Sequence, residues 1–349
     1  MKNRLLCLLL LPSLISAQTS ETNERLREGL KRFPEADADK NGILTMEEAM
    51  TFLQKRKKMA EPQPATKSGG LKPDHADVAY GSHERCKLDL YLTKKASSAA
   101  PVVLMIHGGG FRNGDKSQWA RNKTTQDLLD QGISCAALNY PFLDSMPIQD
   151  ILRQCARAVQ YLRFRSGEWN LDKTRFASMG GSAGAGTSLW LATRDDLADP
   201  KALDPVLRES TRLVCAVCNS TQATYDVSRW ESFLGRPGPD VRTSEAEAAL
   251  FYHLPSIESF TTAAGKAILK ECDMLSWISM DDPPLFVSNP QVVEAPTNRG
   301  EWLHCIHHAR EVHKECTLDG VECIVAQDHA SPNPSPVDFL VAKLRPKTL

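Results

Sequence analysis

Gly180-Gly181-Ser182-Ala183-Gly184 sets a serine among glycines, and His107-Gly108-Gly109-Gly110 precedes it on the chain. A turn too tight for side chains on its neighbours holds such a serine in strained backbone geometry with its hydroxyl presented for attack. The glycines of the first segment can turn their N–H groups inward. Amides of Gly108, Gly109, Gly110 and Ala183 would then stabilise the oxyanion of a tetrahedral intermediate. Together the two segments point to acyl transfer through a serine nucleophile.

Such groups need rigid elements behind them. Arg175 to Met179 reads as a strand running into the serine turn, and Ala185 to Thr193 reads as the helix leaving it. Pro101 to Ile106 is a continuous apolar run, expected of a parallel strand buried on both faces, and it delivers the glycine loop. Further strands are expected at Ile133 to Leu138, Leu213 to Val217, Pro284 to Val287 and Val321 to Val325, with a helix from about Ile148 to Phe164. Alternation of strand and helix implies an α/β fold, a mostly parallel sheet flanked by helices. Residues from about 225 to 280 read as a small helical cap over the site, and its Trp230, Phe233, Leu234, Phe251 and Trp277 are expected to serve packing before substrate binding.

These motifs, with Cys86 to Leu92 as an opening strand, Gly114-Asp115-Lys116 after the glycine loop and Asn139-Tyr140 closing a later strand, resemble an α/β-hydrolase of the esterase/lipase type. The resemblance, close to the hormone-sensitive-lipase-like and carbohydrate-esterase branches, spans most of residues 77 to 345. It implies a serine carboxylic-ester hydrolase forming an acyl-enzyme with no cofactor for catalysis, and substrates that are small-molecule or carbohydrate esters, acetyl or aromatic. It further implies a general-base histidine after the last strand, a place held by His329, and an acid just after the penultimate strand. That stretch reads Ser288-Asn289-Pro290-Gln291-Val292-Val293-Glu294, with no aspartate at the expected point, so Glu294 is the candidate acid. The missing acid leaves open a non-catalytic binding protein on this fold, and a peptidase or acyltransferase would reuse the same groups.

A second unit lies upstream. Asp37-Ala38-Asp39-Lys40-Asn41-Gly42-Ile43-Leu44-Thr45-Met46-Glu47-Glu48 fits an EF-hand loop: Asp37, Asp39 and Asn41 offer side-chain oxygens, Ile43 its carbonyl and Glu48 two carboxylate oxygens, around a Gly42 turn. Leu26, Leu30 and Phe33 before the loop, and Met50, Phe52 and Leu53 after it, recur at helical spacing. The expectation is one structural, weak Ca2+ site in a single hand over residues 21–57. A charged, breaker-rich linker over 58–75 joins it to the hydrolase domain, residues 76–349.

Lys2 and Arg4, the apolar Leu5 to Ile15, and small residues at Ser16 and Ala17 read as a signal peptide over residues 1–17, too short to span a bilayer, so the chain is expected to be secreted or periplasmic. Net charge is -1 over 349 residues, which gives no electrostatic case for nucleic acid or an anionic membrane. If Cys7 leaves with the signal, nine cysteines remain, an odd number that requires a free thiol or an intermolecular bridge. Cys215-x-x-Cys218 is expected to pack or form a disulfide rather than bind metal. His304, His307, His308 and His313 read as a histidine-rich surface helix, since no H-E-x-x-H pattern accompanies them.

Overall fold

The structure, a computed structural model, describes residues 19–52, 70–326 and 334–345. The chain divides into two compact units, Met1–Ser68 and Gly69–Leu349. The segment read as a signal peptide and most of the linker lie outside the described residues.

In the small unit, α1 (Glu24–Arg32) leads into the acidic loop, and residues 46–52 are again helical. Leu26, Ala36 and Leu44 form its buried centre, with Leu30, Phe33, Met46, Ala49 and Phe52 packed round them. Of the apolar residues noted after the loop, Phe52 packs inward while Met50 is half exposed, and Met46 and Ala49 take the other inward positions; Leu53 lies outside the described residues. Thr19 bridges Thr45, and Ser20 exchanges bonds with Leu44, its N–H donating to the Leu44 carbonyl at 2.8 Å and its hydroxyl accepting the Leu44 N–H at 3.0 Å. The loop backbone is therefore paired by the chain's own upstream residues.

The large unit is an eight-stranded sheet: β1 (His75–Ala79), β2 (Lys87–Tyr91), β3 (Ala100–Ile106), β4 (Ser134–Leu138), β5 (Leu171–Gly181), β6 (Cys215–Asn219), β7 (Leu285–Ser288) and β8 (Cys323–Ala326). Their order is β1-β2-β4-β3-β5-β6-β7-β8. β1 and β2 run antiparallel to their neighbours and the rest are parallel. The helices are α2 (Lys123–Asp130), α3 (Ile148–Phe164), α4 (Ala183–Thr193), α5 (Trp230–Leu234), α6 (Glu245–Phe251), α7 (Ala263–Cys272), α8 (Arg299–His304), α9 (Ile306–Leu318) and α10 (Pro336–Leu344).

Successive residues of β3 explain its apolar run. Val102, Leu104 and Ile106 enter one core while Val103 and Met105 enter the core on the opposite face. Each such side chain removed from water contributes roughly 1.5–3 kcal/mol, which makes β3 a rigid base for the loop that follows it. Cys215 and Cys218 likewise belong to opposite cores, so strand geometry keeps the two thiols apart and both act as small packing groups. β1 precedes the strand expected to open the domain at Cys86 to Leu92 and was not expected; it is an edge strand bent by a register shift, and its burial is too slight to leave an apolar pattern.

Candidate active site

β5 stops at Gly181 and α4 starts at Ala183, leaving Ser182 at φ 53°, ψ −119° between them. A β-carbon on Gly184 would lie 2.1 Å from the Ile106 carbonyl oxygen, so glycine is what lets the helix start against β3. Ser182 donates its N–H to the Asn219 carbonyl at 2.9 Å, and Tyr225 donates its hydroxyl to the Ala183 carbonyl at 2.8 Å. The serine is thus clamped from β6 and from the segment beyond it, with the strain that a non-glycine residue at positive φ carries.

After β3, Gly109 has φ 112° and Gly110 φ 60°, conformations that favour glycine. Among the described residues the N–H groups of Gly109 and Gly110 have no acceptor, and Ala183, first in its helix, has an N–H with no intrahelical acceptor. Gly108 packs against the serine turn, its α-carbon facing the Gly181 carbonyl. The glycine loop is braced from below. Tyr140 donates its hydroxyl to the His107 carbonyl at 2.7 Å, Arg85 donates to the carbonyls of Tyr140 and Gly114 at 2.9 and 3.1 Å, and Asn139 joins Asp115 to the Lys116 N–H, each at 2.7 Å. Lys116 itself sits between Asp89 and Asp77 at 2.7 and 2.9 Å. His107 stacks on Tyr140 and burial pushes its imidazole down to about 4, so it shapes the loop as a neutral ring.

The imidazole beside the serine belongs to His304. Its Nε2 lies 3.3 Å from Ser182 Oγ, while its Nδ1 lies 3.0 Å from the Ser220 carbonyl. A carbonyl accepts only, so in the tautomer that the Ser220 carbonyl favours Nδ1 carries the hydrogen and Nε2 faces the hydroxyl as an acceptor. Burial holds this imidazole below its ordinary range, opposed in part by the Ser220 carbonyl. Gln222 flanks the ring: its amide nitrogen donates to the Leu303 carbonyl at 2.8 Å and lies 3.2 Å from His304 Nδ1.

His329, expected in this role, lies outside the described residues. Glu294, the candidate acid, is exposed; its backbone carbonyl accepts from His307 at 2.9 Å, and its carboxylate makes no hydrogen bond or ion pair among the described residues. The histidine cluster is not a surface helix. α8 ends at His304, Cys305 is extended and interrupts the helix, and α9 begins at Ile306. His308 is fully buried, accepting the Ala223 N–H at 3.1 Å and donating to the Trp302 carbonyl at 3.0 Å, and burial pushes it down to about 3. The Asn298 cap over Glu301 marked the start of α8, but nothing local marks its end.

A cleft of about 210 Å³ opens at Ser182. Phe111, Leu143, Tyr225, Val227, Phe251 and Leu303 give it an apolar wall, and Thr243 with the Arg299–Glu247 pair, at 2.6 Å, a polar one. Trp230 is buried and lines the cleft, so the cap residue serves both packing and the wall.

In the small unit, carboxylate oxygens of Asp37, Asp39 and Glu48 lie within 4.8 Å of one another. Asp37 is buried and accepts the N–H groups of Asn41 and Gly42, and Asn41 accepts that of Ile43. Bonds from the Thr45 N–H and hydroxyl hold the Glu48 carboxyl below its usual range, so it is ionised at neutral pH. Three converging carboxylates of this kind are a hard-oxygen donor set that fits a divalent cation.

Among known proteins, a probable isoprenylcysteine alpha-carbonyl methylesterase of Arabidopsis thaliana is 31% identical over 108 residues, 31% of this chain and 22% of that protein. A probable carboxylic ester hydrolase, LipM, of Mycobacterium tuberculosis is 25% identical over 234 residues, 64% of this chain and 50% of that one. The chain therefore spans half or less of the length of these curated relatives. A solved truncated carbohydrate esterase from gut microbiota superposes with a TM-score of 0.61 at 15% identity, covering 79% of this chain and 99% of that one, which identifies the fold as that of α/β-hydrolases. With the BD-FAE family profile matching residues 88–291, more than half of its length, the chain belongs to the BD-FAE family.

Proposed function

We propose that the protein is a serine carboxylic-ester hydrolase. The observation that carries this reading is the 3.3 Å approach of His304 Nε2 to Ser182 Oγ at a strained strand-to-helix turn. In the first step Ser182 Oγ attacks the ester carbonyl as its proton passes to His304 Nε2, and the Ser220 carbonyl holds the Nδ1 hydrogen. The oxyanion is received by the N–H groups of Gly109, Gly110 and Ala183. His304 then protonates the leaving alcohol, and water, deprotonated by the same nitrogen, hydrolyses the acyl-enzyme.

The substrate class that the cleft supports is a small acyl ester, acetyl or aromatic, on an alcohol reaching toward the polar wall. The aromatic lining suits a planar acyl group, and the fold shared with a carbohydrate esterase supports a sugar as the alcohol. Loss of p-nitrophenyl acetate hydrolysis in Ser182→Ala is the required outcome, and turnover unchanged by that substitution defeats the proposal. Among the described residues no carboxylate bonds the His304 imidazole, and this favours one other reading, a non-catalytic binding protein. Labelling of Ser182 by a fluorophosphonate separates the two.

The same proposal includes export, on the basic, apolar and small-residue pattern of residues 1–17. It also includes a structural Ca2+ held by Asp37, Asp39, Asn41, the Ile43 carbonyl and Glu48, which would neutralise the converging carboxylates. Among the described residues no helix is long and apolar enough to cross a membrane.

A further inference from the structure

Asn289 directly follows β7, where the resemblance to esterases leads one to expect the triad acid. Its side chain is fully buried, and the hydrogen bonds it makes among the described residues go to backbone groups, not to the imidazole. Its Oδ1 accepts the Thr221 N–H at 3.2 Å, and its Nδ2 donates to the carbonyls of Thr221, His304 and Cys305 at 2.9, 3.1 and 3.2 Å. The amide orientation is unambiguous, because one side faces a donor and the other faces three acceptors.

These partners are the backbone on either side of one hydrogen bond. Thr221 follows Ser220, whose carbonyl accepts from the His304 imidazole, and Ser220 stands at φ 55°, a conformation that needs outside support. His304 and Cys305 end α8, where helix carbonyls lack intrahelical donors. Gln291 continues the junction by accepting the Ile306 N–H at 2.9 Å. Without a donor at position 289, neither the Ser220 turn nor the end of α8 would be tied to β7 by this bridge.

We infer that Asn289 is a positioning residue, bridging the backbone at Thr221 and at His304–Cys305 so that the His304 imidazole is held against the Ser220 carbonyl, a peptide carbonyl and a neutral amide replacing the triad acid. The inference rests on the serine-hydrolase reading above. It carries a counterintuitive consequence. In an enzyme that has merely lost its acid, aspartate at this position restores activity; here it sets a carboxylate against three carbonyl oxygens and removes the donor they need.

The test uses the full chain with Asn289→Ala and Asn289→Asp, assayed below the melting temperature of each variant by kcat and KM on p-nitrophenyl acetate and by the rate of fluorophosphonate labelling. For Asn289→Ala, kcat and labelling fall by about 10- to 100-fold with KM within about twofold of wild type, the signature of a misplaced base rather than lost binding. Asn289→Asp is no faster than Asn289→Ala. Wild-type kcat in folded Asn289→Ala overturns the inference, and so does Asn289→Asp working faster than Asn289→Ala. If Asn289→Asp does not fold, Asn289→Ala decides alone. Wild-type protein that neither turns over ester nor labels at Ser182 defeats the hydrolase reading itself, and the inference with it.

Discussion

Replacing His304 by alanine is the most direct perturbation of the site. In the wild type, Nε2 is 3.3 Å from the serine hydroxyl, and among the described residues the other ring nitrogen meets uncharged groups, the Ser220 carbonyl at 3.0 Å and the Gln222 amide nitrogen at 3.2 Å. General-base assistance is worth about 10²- to 10⁴-fold, or roughly 2.7–5.4 kcal/mol at 1.36 kcal/mol per tenfold. His304→Ala should lose kcat by that range, leaving a residual rate from the oxyanion amides. Burial holds the His304 imidazole low, and the base must be neutral to act. The acid limb of wild-type kcat/KM should therefore have its midpoint below the ordinary imidazole value of about 6.5, so that activity persists into mildly acidic solution. The assay is p-nitrophenyl acetate turnover across pH for wild type, His304→Ala and His329→Ala, with active sites counted by fluorophosphonate labelling. A His304→Ala enzyme within about threefold of wild type at neutral pH, far short of the general-base range, refutes the reasoning. Loss confined to His329→Ala would move the base to that residue.

Three further outcomes are expected. His308 is held neutral by burial at about 3, below its unfolded value of about 6.5; its stabilising contribution is present above that unfolded value and is lost as pH falls toward the folded one. Denaturant melts of wild type and His308→Gln between pH 6.5 and 5 should differ in slope by an amount that rises toward about 1.4 kcal/mol per pH unit at the acid end, and parallel slopes contradict the assignment. Gly109→Ala forces a β-carbon to 2.1 Å from the Asn113 carbonyl oxygen at a φ of 112°; kcat should fall by about 10²- to 10³-fold through the displaced oxyanion amide, and unchanged kcat in a folded variant removes Gly109 from that role. Calorimetry on the full chain should show Ca2+ uptake at about 10⁻⁴ to 10⁻³ M, abolished in Glu48→Gln, and heat unaffected by that substitution rules out the loop as the site.

The described strands show which parts of this architecture are local. Val102 to Ile106 reads locally as a strand buried on both faces, because every residue is apolar and the run is bounded by Pro101 and, one residue beyond it, by Gly108. The serine turn is equally local, since only glycine at 180 and 184 lets a helix begin against β3. β1 carries no such signal, because an edge strand with one neighbour needs little apolar surface.

The candidate nucleophile, the glycine loop and the acidic twelve-residue loop are written in contiguous residues, because each depends on backbone conformations that only certain side chains permit. The partner of the serine is a different matter. Whether the His304 ring reaches Ser182 depends on where α8 stops, and that is decided by Asn289, Gln291 and Ser220, which lie 13 or more positions away and act through hydrogen bonds that exist only once β6 and β7 are paired. Spacing along a chain encodes turns; it does not encode which distant carbonyl an imidazole will meet, and in this protein that meeting is what makes a hydroxyl into a candidate nucleophile.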